Sequence, residues 1–193
     1  MPIAFPSHPG LLAPLWRIWP RRFDVLALWS GALAPDLVDG VASLVLRGHF
    51  GHWFGHSLLG CVTVDLGVAL ALARLVASDS ARRAGRVRLA AWLSGIAGTP
   101  ATTGRVPSAV LGALTHLLFD AFSHDHTELF LPLAKDPRWF PGWWYHAWTH
   151  VDAPGYPEYP IGPAFVVWVM LSLVGAWMFF RWPPRSSEPG AAW

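Results

Sequence analysis

The stretch "IGPAFVVWVMLSLVGAWMFF", Ile161–Phe180, holds twenty residues without one charged side chain. An α-helix of that length is roughly 30 Å long, which matches the hydrocarbon core of a bilayer. Arg181 follows directly, as is usual where a helix leaves the membrane. The stretch therefore predicts a transmembrane helix, and it determines how the rest of the chain is interpreted.

The composition of the whole chain agrees with a membrane protein. Of its 193 residues, 53% are hydrophobic and only 13% are charged, whereas about 25% is usual for a soluble domain. Thirteen tryptophans fit membrane–water interfaces, so membrane lipid is an expected partner. The single cysteine, Cys61, excludes an internal disulfide. No basic stretch alternates with stacking aromatic residues, which argues against nucleic acid as a steady partner.

Three further apolar stretches are long enough to cross a bilayer, although each carries ionisable residues. They are Val25–Leu46, Ser57–Ala73 and Val106–Ser123. A fourth stretch, Leu89–Gly98, is too short to span and is expected to be interfacial or re-entrant. We therefore predict an all-α integral membrane helical bundle with about four transmembrane helices. It forms a single membrane-embedded domain over residues 1–182, followed by a disordered tail over 183–193.

The positive charges predict an orientation. Arginines are concentrated in alternate connections: Arg17, Arg21 and Arg22; Arg74, Arg82, Arg83, Arg86 and Arg88; Arg105; Arg181 and Arg185. The other connections carry only Arg47, Lys135 and Arg138. The positive-inside rule then puts both termini and the loop 74–88 in the cytoplasm, with the histidine-rich connections outside. The N-terminus lacks basic residues before its apolar part, so we expect it to be retained rather than cleaved as a signal peptide.

Three histidines and an aspartate that could bind a metal, His116, Asp120, His124 and His126, lie within the stretch "GALTHLLFDAFSHDH", Gly112–His126. On a helix, His116, Asp120 and His124 share one face because they are four residues apart. An aspartate in the middle of a membrane costs about 2.5–3.5 kcal/mol on insertion scales, so it needs a partner. We favour a metal ion as that partner over a structural hydrogen bond between His116 and Asp120.

The segment "GHFGHWFGHS" adds His49, His52 and His56, which would also share a helical face. Neutral imidazole is the commonest metal ligand in proteins. His56, at the start of a predicted span, is the best ligand candidate of the three. For His49 and His52, a water-facing interfacial loop explains the histidines equally well.

The segment "APDLVD" places two carboxylates, Asp36 and Asp39, in the first predicted span. Pro35 removes a helical hydrogen bond and predicts a break there, which could aim Asp36 into a cavity. A cation would offset the cost of both carboxylates. The alternative is a helix that begins at the interface with Asp36 as its N-cap. Asp65, in the second predicted span, has no partner that the sequence identifies.

Two further motifs hold weaker candidates. His146 and His150 in "YHAWTH" are four residues apart, next to the aromatic stretch Arg138–Trp148. That stretch is more typical of an interfacial aromatic belt than of a cage for a trimethylammonium group. His8 in "SHP" is a ligand only if the fold brings it to the other histidines.

The order of "SHP", "APD", "GHSLLG" and "GALTHLLFD" over residues 1–180 resembles the membrane-bound metal-dependent hydrolases of bacterial inner membranes, one branch of which is LexA-regulated. A more distant similarity is to the zinc-dependent phospholipase C and P1 nuclease group. Their ligands run His, Asp, His, then His-x3-Asp-x5-His, then His-x3-Asp or Glu. In this chain the positions that match are His8, Asp36, His56, His116, Asp120, His126 and His146, and His150 stands in the last place.

The resemblance implies Zn²⁺ as cofactor, with one or two ions, although other divalent metals fit the same residues. Enzymes of the second group use the amino group of an N-terminal Trp as a further ligand, whereas this chain begins with Met. Helix geometry favours His124 as a ligand, whereas the family spacing favours His126, and the choice stays open. His124, His150 and His52 are secondary metal candidates.

The function expected is that of a membrane-bound, metal-dependent hydrolase in a bacterial-type inner membrane, with its site toward the extracytoplasmic face. Asp36 and Asp120 would be its catalytic carboxylates. A metal-activated water would attack a phosphoester, such as a lipid phosphate, although an amide or a carboxyl ester would react with the same water. The alternative is a non-enzymatic membrane protein: a metal or proton carrier, or a scaffold with buried His–Asp pairs. Oligomeric state is not predicted.

Overall fold

The computed structural model describes residues 4–19, 21–47, 53–77, 103–124, 128–132, 139–153 and 156–182. In chain order the described elements are α1 (Ala4–Leu11), α2 (Ala13–Ile18), α3 (Val25–Leu46), a 3₁₀ turn (Phe54–His56), α4 (Leu58–Val62), α5 (Val64–Ala77), α6 (Arg105–Ser123), a second 3₁₀ turn (Gly142–Trp144), β1 (Thr149–Ala153), β2 (Tyr156–Ile161) and α7 (Pro163–Arg181). Several predictions concern residues outside these ranges: His49, His52, His126, the arginines 82–88, the short stretch Leu89–Gly98 and the tail 183–193.

Three of the described helices are long and apolar enough to cross a membrane: α3, α6 and α7. These helices support the prediction of a membrane protein, but the predicted number of four transmembrane helices is not confirmed. The predicted span Ser57–Ala73 consists of two helices, α4 and α5, which meet at Thr63. The Thr63 hydroxyl bonds back to the Leu59 carbonyl, a local contact that competes with helical continuity. At 14 residues, α5 is only about 21 Å long.

The fold is mostly helical, with one addition that the all-α prediction omitted. Strands β1 and β2 form an antiparallel hairpin, with Thr149 opposite Ile161 and Val151 opposite Tyr159. The hairpin leads directly into α7, since β2 ends at Ile161 and α7 begins at Pro163. The Trp148 N–H donates to the Ile161 carbonyl at this junction. The sequence "YPEYPI" of β2 contains two prolines, which obscured the strand pattern.

Helices α3 and α6 run parallel and in register. The Asp24 N–H donates to Ser108 Oγ at the start of both helices, and two turns farther on Ala32 pairs with His116. Between these points the backbones approach so closely that a Cβ at Gly31 would overlap the Ala109 carbonyl, and one at Gly112 would overlap the Leu28 carbonyl. The contact fixes residues 36 and 120 at the same level of the bundle.

Helices α1 and α2 pack in the same direction along α7. Ser7 Oγ donates to the Ser172 carbonyl, and Trp16 Nε1 donates to the Trp182 carbonyl. A Cβ at Gly175 would overlap the Ser7 carbonyl, so glycine is needed at this crossing. The first residues of the chain were expected before the bundle, on its arginine side. Instead Ser7 and His8 are buried in the bundle, roughly 13 Å along α7 from Arg181.

The bundle has two chemically different ends. At the end called here the arginine end, Arg105 pairs with Asp24, Arg17 lies over the Trp182 ring, and the Thr103 N–H donates to the Arg22 carbonyl. Trp16, Trp29 and Phe179 form an aromatic core just inside it. The opposite end, the hairpin end, carries β1, β2 and the aromatic loop 139–148.

The outer faces of the spanning helices are apolar and exposed. Leu44 on α3 is 80% exposed and Phe180 on α7 is 73% exposed. A soluble protein rarely exposes apolar surface on this scale, whereas a bilayer covers it.

Candidate metal centre

Helix α6 supplies two residues of the site, one turn apart. His116 and Asp120 are both buried, as expected from their shared face, and their side chains contact each other: His116 Nε2 lies 3.2 Å from Asp120 Oδ2. The Nδ1 atom of His116 donates to the Ala32 carbonyl at 2.8 Å. This bond orients the imidazole so that Nε2 faces α3.

Helix α3 supplies Asp36 from near its middle. Its side chain is 13% exposed, and Oδ2 finds no hydrogen-bond partner among the described residues. The helix continues through Pro35, so the predicted break is wrong. Pro35 nevertheless lacks a backbone N–H, so α3 has one hydrogen bond fewer in this turn. The same turn holds the Ala32 carbonyl, which accepts the hydrogen bond from His116 Nδ1. Asp36 is not an N-cap either, because Asp24 caps α3 through the Ala27 N–H.

The 3₁₀ turn supplies His56, which Asp39 holds in place. The two Asp39 carboxylate oxygens accept from the Trp53 N–H at 2.6 Å, the Gly55 N–H at 2.8 Å and His56 Nδ1 at 2.7 Å. A Cβ at Gly55 would lie 2.7 Å from the Pro35 carbonyl oxygen, so only glycine lets the turn approach α3. Sequence reasoning noticed Asp39 as a carboxylate but missed this role as the acceptor for His56.

Four ligand atoms converge between these elements: Asp36 Oδ1, His56 Nε2, His116 Nε2 and Asp120 Oδ2, all within 4.8 Å of one another. Five of the six separations lie between 3.2 and 3.7 Å. Ligand atoms at about 2.0–2.2 Å from a tetrahedral zinc ion lie roughly 3.3–3.6 Å apart. The cluster therefore has the dimensions of a tetrahedral metal site.

The hydrogen bonds decide which imidazole nitrogens can bind a metal. Both Nδ1 atoms donate, to the Ala32 carbonyl and to the Asp39 carboxylate, so both neutral rings present Nε2 lone pairs. These lone pairs lie 3.2 Å apart and face two carboxylates, which is repulsive unless a cation or a proton lies between them. Partners at Nδ1 of this kind are the usual support for metal-binding histidines.

Without a metal ion, a proton bound to His56 can supply the positive charge between the ring nitrogens and the carboxylates. Burial alone would lower the pKa of His56, but hydrogen bonds with Asp120, Asp36 and Asp39 raise it well above its ordinary value. The site therefore favours a positive charge, which either a proton or a metal ion can supply.

His8 lies against the other side of Asp120. Its ring stacks on His116 with 4.0 Å between centroids, and its Nε2 is 3.8 Å from Asp120 Oδ1. Burial and the neighbouring His116 lower the pKa of His8 to about 3, so its imidazole is neutral. His124 is also near, with Nε2 at 4.0 Å from the same Oδ1 atom.

Two further candidates, His146 and His150, are not part of the four-residue cluster. His146 and His150 are exposed, and neither contacts the four-residue cluster in the part of the chain that the structure describes. Their role as metal ligands stays a prediction, as does that of His52 and His126, which fall outside the described ranges. Asp65 is buried behind Asp39 and His56, next to Cys61.

The aromatic loop 139–148 contacts the last turn of α6, beside the site. Trp144 Nε1 donates to the Phe122 carbonyl and the Tyr145 hydroxyl donates to the Ala121 carbonyl. These bonds satisfy carbonyls of the last helical turn, which lack helical donors. Trp139, Trp143 and Trp148 remain exposed, in agreement with an interfacial belt.

No curated protein and no solved structure matched this sequence. One family model matches residues 1–134, which include all four residues of the cluster and His8, whereas α7 and the hairpin lie beyond it. Since the match covers more than half of the sequence, the chain belongs to the family described as a domain of unknown function (DUF4184).

Proposed function

We propose that this protein is a membrane-bound, metal-dependent hydrolase. The observation that supports the proposal is the convergence of Asp36, His56, His116 and Asp120 at the separations of a metal site, inside an apolar bundle. Buried carboxylates and imidazoles in such surroundings need a cation to offset their cost. The resemblance of the sequence motifs to inner-membrane metal-dependent hydrolases points the same way.

Zinc suits the donor set best, because two imidazoles and two carboxylates are ligands that it accepts in tetrahedral sites. Manganese or iron would accept the same residues. Asp120 also allows a second ion: its Oδ2 atom faces the two cluster histidines, while its Oδ1 atom faces His8 and His124. Where two ions bind, Asp120 would help to hold both of them.

The carboxylates are the chain's own contribution to the reaction, as a proton acceptor and as a support for His56. When bound, zinc would act as a Lewis acid and lower the pKa of a coordinated water to about 7. Asp36 Oδ2 is buried and has no hydrogen-bond partner among the described residues, so it is available to accept a proton from water at the site. Asp39 holds the His56 ring in its orientation.

A phosphoester of a membrane lipid is the substrate we propose. The site lies between spanning helices, toward the hairpin end of α6, where exposed tryptophans favour the headgroup layer. A divalent ion stabilises the charge that develops on phosphoryl oxygens. With the arginine end in the cytoplasm, the site faces the extracytoplasmic side of a bacterial-type inner membrane.

A carrier of protons or metal ions is the alternative that one observation favours. Asp39, His56 and Asp120 form an unbroken series of contacts at 2.7 and 3.2 Å through the interior of the bundle. Relays of this kind occur in membrane pumps. A carrier would move zinc or protons across liposomes without hydrolysing any ester.

Asp120→Asn tests the proposal, because it keeps the shape of the side chain and removes the charge. We expect purified wild type in detergent to carry at least one zinc ion per chain after zinc loading. The variant should lose more than the roughly 10- to 100-fold in zinc affinity that is typical of a supporting residue. It should also lose hydrolysis of a chromogenic phosphodiester. Metal is measured by mass spectrometry.

Asp152→Asn is the matched control, since it makes the same chemical change at an exposed position in β1. Its zinc content and activity should equal those of wild type. A wild-type protein that holds no stoichiometric transition metal after loading would contradict the proposal and leave His116 and Asp120 as a relay or a structural pair.

A further inference from the structure

The arginine end of the bundle carries an excess of positive charge. Six arginines belong to this end, and the side chains of all six are exposed. We call them the arginine surface: Arg17, Arg21, Arg22, Arg74, Arg105 and Arg181. Asp24 is the one carboxylate that lies with them in the part of the chain that the structure describes. At the hairpin end the described side chains have the opposite balance, since Glu128 and Asp152 outnumber Arg47.

Three of these arginines lie where the chain enters α3 and α6. The Arg22 carbonyl accepts a hydrogen bond from the Thr103 N–H at 2.8 Å, so the two entering segments are in contact. Arg105, the first residue of α6, donates from Nε to Asp24 Oδ2 at 3.0 Å. Arg21 and Arg22 form no ion pair with a described residue, and both side chains are exposed. The Asp24 carboxylate therefore offsets only part of the charge.

The other arginines of the surface lie in the last turns of helices that end here. The Arg17 guanidinium lies 5.2 Å from the centre of the Trp182 ring, and Arg181 is the residue before that tryptophan. Arg74 is in the last turn of α5, next to Ala73, which belongs to the same buried cluster as the aromatic core of this end. Positive charge therefore extends around the end of the bundle and is not confined to one loop.

Exposed apolar side chains on the same surface place it at the level of lipid headgroups. Ile18 is 64% exposed and Trp19 is 49% exposed, directly after Arg17 in the chain. Tryptophan favours the membrane–water interface. An arginine beside it keeps its guanidinium in the polar layer while its hydrocarbon stem lies against apolar groups. We therefore expect the arginine surface to meet the headgroups of one leaflet.

The chemistry of the guanidinium group selects among headgroups. It presents N–H donors in a planar fork that matches the oxygens of a phosphate group. A zwitterionic headgroup carries its own cation, which neighbouring arginines repel, whereas an anionic headgroup carries a net negative charge. Each arginine near an anionic membrane surface strengthens binding about fivefold. An arginine-rich end with one carboxylate is therefore complementary to anionic phospholipid.

We propose that the arginine surface binds the headgroups of anionic phospholipids, with Arg21 and Arg22 donating hydrogen bonds to the phosphate oxygens. An acidic protein segment would also be complementary to the arginines, but the exposed side chains of Ile18 and Trp19 favour a lipid surface. The binding needs no metal ion and does not involve the four-residue cluster. It is therefore independent of the proposed function.

Native mass spectrometry of the full-length chain in detergent tests the proposal. The protein is titrated with dioleoyl phosphatidylglycerol and, separately, with dioleoyl phosphatidylcholine, which has the same acyl chains and no net charge. Wild type should bind the first phosphatidylglycerol at least about tenfold more tightly than the first phosphatidylcholine. Arg22→Gln should weaken phosphatidylglycerol binding about fivefold, and Arg21→Gln/Arg22→Gln should remove most of the preference. Binding of phosphatidylcholine should stay the same.

Arg47→Gln is the matched control, since it makes the same chemical change at an exposed position at the hairpin end. It should change phosphatidylglycerol binding by less than about twofold. Raising the ionic strength from about 0.1 M to about 1 M should reduce the preference of wild type, because the screening length then falls to about 3 Å. Thermal unfolding in the same detergent should give wild-type midpoints for all variants, since every replaced side chain is exposed.

The contrary outcomes overturn the proposal. Equal affinity of wild type for the two lipids would show that the surface does not select anionic headgroups. Equal weakening by Arg22→Gln and Arg47→Gln would show that binding follows the net charge of the protein and not this surface. A preference that high salt leaves unchanged would show that the arginines do not cause it. Tighter binding of a polyglutamate peptide than of phosphatidylglycerol would identify an acidic protein segment as the partner instead.

Discussion

The carboxylates of Asp36 and Asp39, three residues apart on α3, have different surroundings. Asp36 faces the cluster with one oxygen and has a second oxygen without a partner among the described residues. Asp39 is fully buried, and its oxygens are occupied by two backbone N–H groups and by His56. In the proposed metal site, a carboxylate whose oxygens already accept these hydrogen bonds would orient a metal ligand rather than bind the ion itself.

Asp39→Asn should therefore weaken zinc binding less than Asp36→Asn does. The asparagine amide cannot accept all three hydrogen bonds, so the His56 ring loses part of its support. We expect about a 10- to 100-fold loss of zinc affinity, the range known for supporting partners of metal ligands, and a larger loss for Asp36→Asn. Competition with a fluorescent chelator measures both. Equal losses would show that Asp39 is itself a ligand.

The elevated pKa of His56 predicts how zinc binding depends on pH. In the metal-free protein, His56 carries a proton below that raised pKa, and zinc must displace it. Lowering the pH therefore weakens zinc binding, by about tenfold per pH unit for each proton released. Affinity measured at pH 6, 7 and 8 should rise with pH, and zinc addition to a weakly buffered solution should release protons. A pH-independent affinity would contradict a protonated site.

At the scale of elements, the close contact between α3 and α6 sets the geometry of the cluster. Gly31 and Gly112 allow the two backbones to approach, and His116 lies one turn beyond Gly112. The Ala32 carbonyl that orients His116 lies on the same stretch of α3. Any change that separates the helices must lengthen this hydrogen bond and displace Nε2 from the cluster.

Gly112→Ala should therefore lower both stability and zinc affinity. The added methyl group would overlap the Leu28 carbonyl, and overpacking of this kind costs about 1–3 kcal/mol. Thermal unfolding in detergent and zinc titration measure the two effects. Gly40→Ala on α3 is the control, because nothing lies within 4 Å of its added Cβ. That change should be neutral or stabilising, since alanine favours the helix. A tolerated Gly112→Ala would show that the helices can separate without cost.

Periodicity and charge were enough to predict some of this architecture. The i, i+4 spacing of His116 and Asp120 predicts one shared face, and both residues are buried. Asp36 and His56 are ligand candidates in the sequence, and the structure brings both to the same cluster. The break at Thr63 and the strand at Tyr156–Ile161 were not predicted, because each depends on local hydrogen bonding. The continuation of α3 through the buried Pro35 was not predicted either, because it depends on packing against neighbouring elements. The burial of His8 depends on a contact between chain segments about 165 residues apart, for which the sequence offers no periodic signal.

At the scale of the whole molecule, three arginines and the tryptophans of the aromatic loop 139–148 lie at opposite ends. Arg17, Arg22 and Arg105 lie where α3 and α6 begin and where α7 ends. Trp139, Trp143 and Trp148 lie at the other end, beyond the last turn of α6. These three arginines of the predicted asymmetry thus share one physical end of the bundle, and the four-residue cluster lies on the hairpin side of the aromatic core.

The positive-inside rule predicts that the arginine end is cytoplasmic, and single cysteines in the full-length chain test this. Cys61 is buried and is first replaced by serine. Thr103→Cys then marks the arginine end, and Thr149→Cys marks the exposed start of β1. In intact bacterial cells, a membrane-impermeant maleimide should label position 149 at once and position 103 only after permeabilisation. The reverse pattern would put the metal cluster on the cytoplasmic side, and labelling of both positions in intact cells would contradict a membrane-spanning bundle.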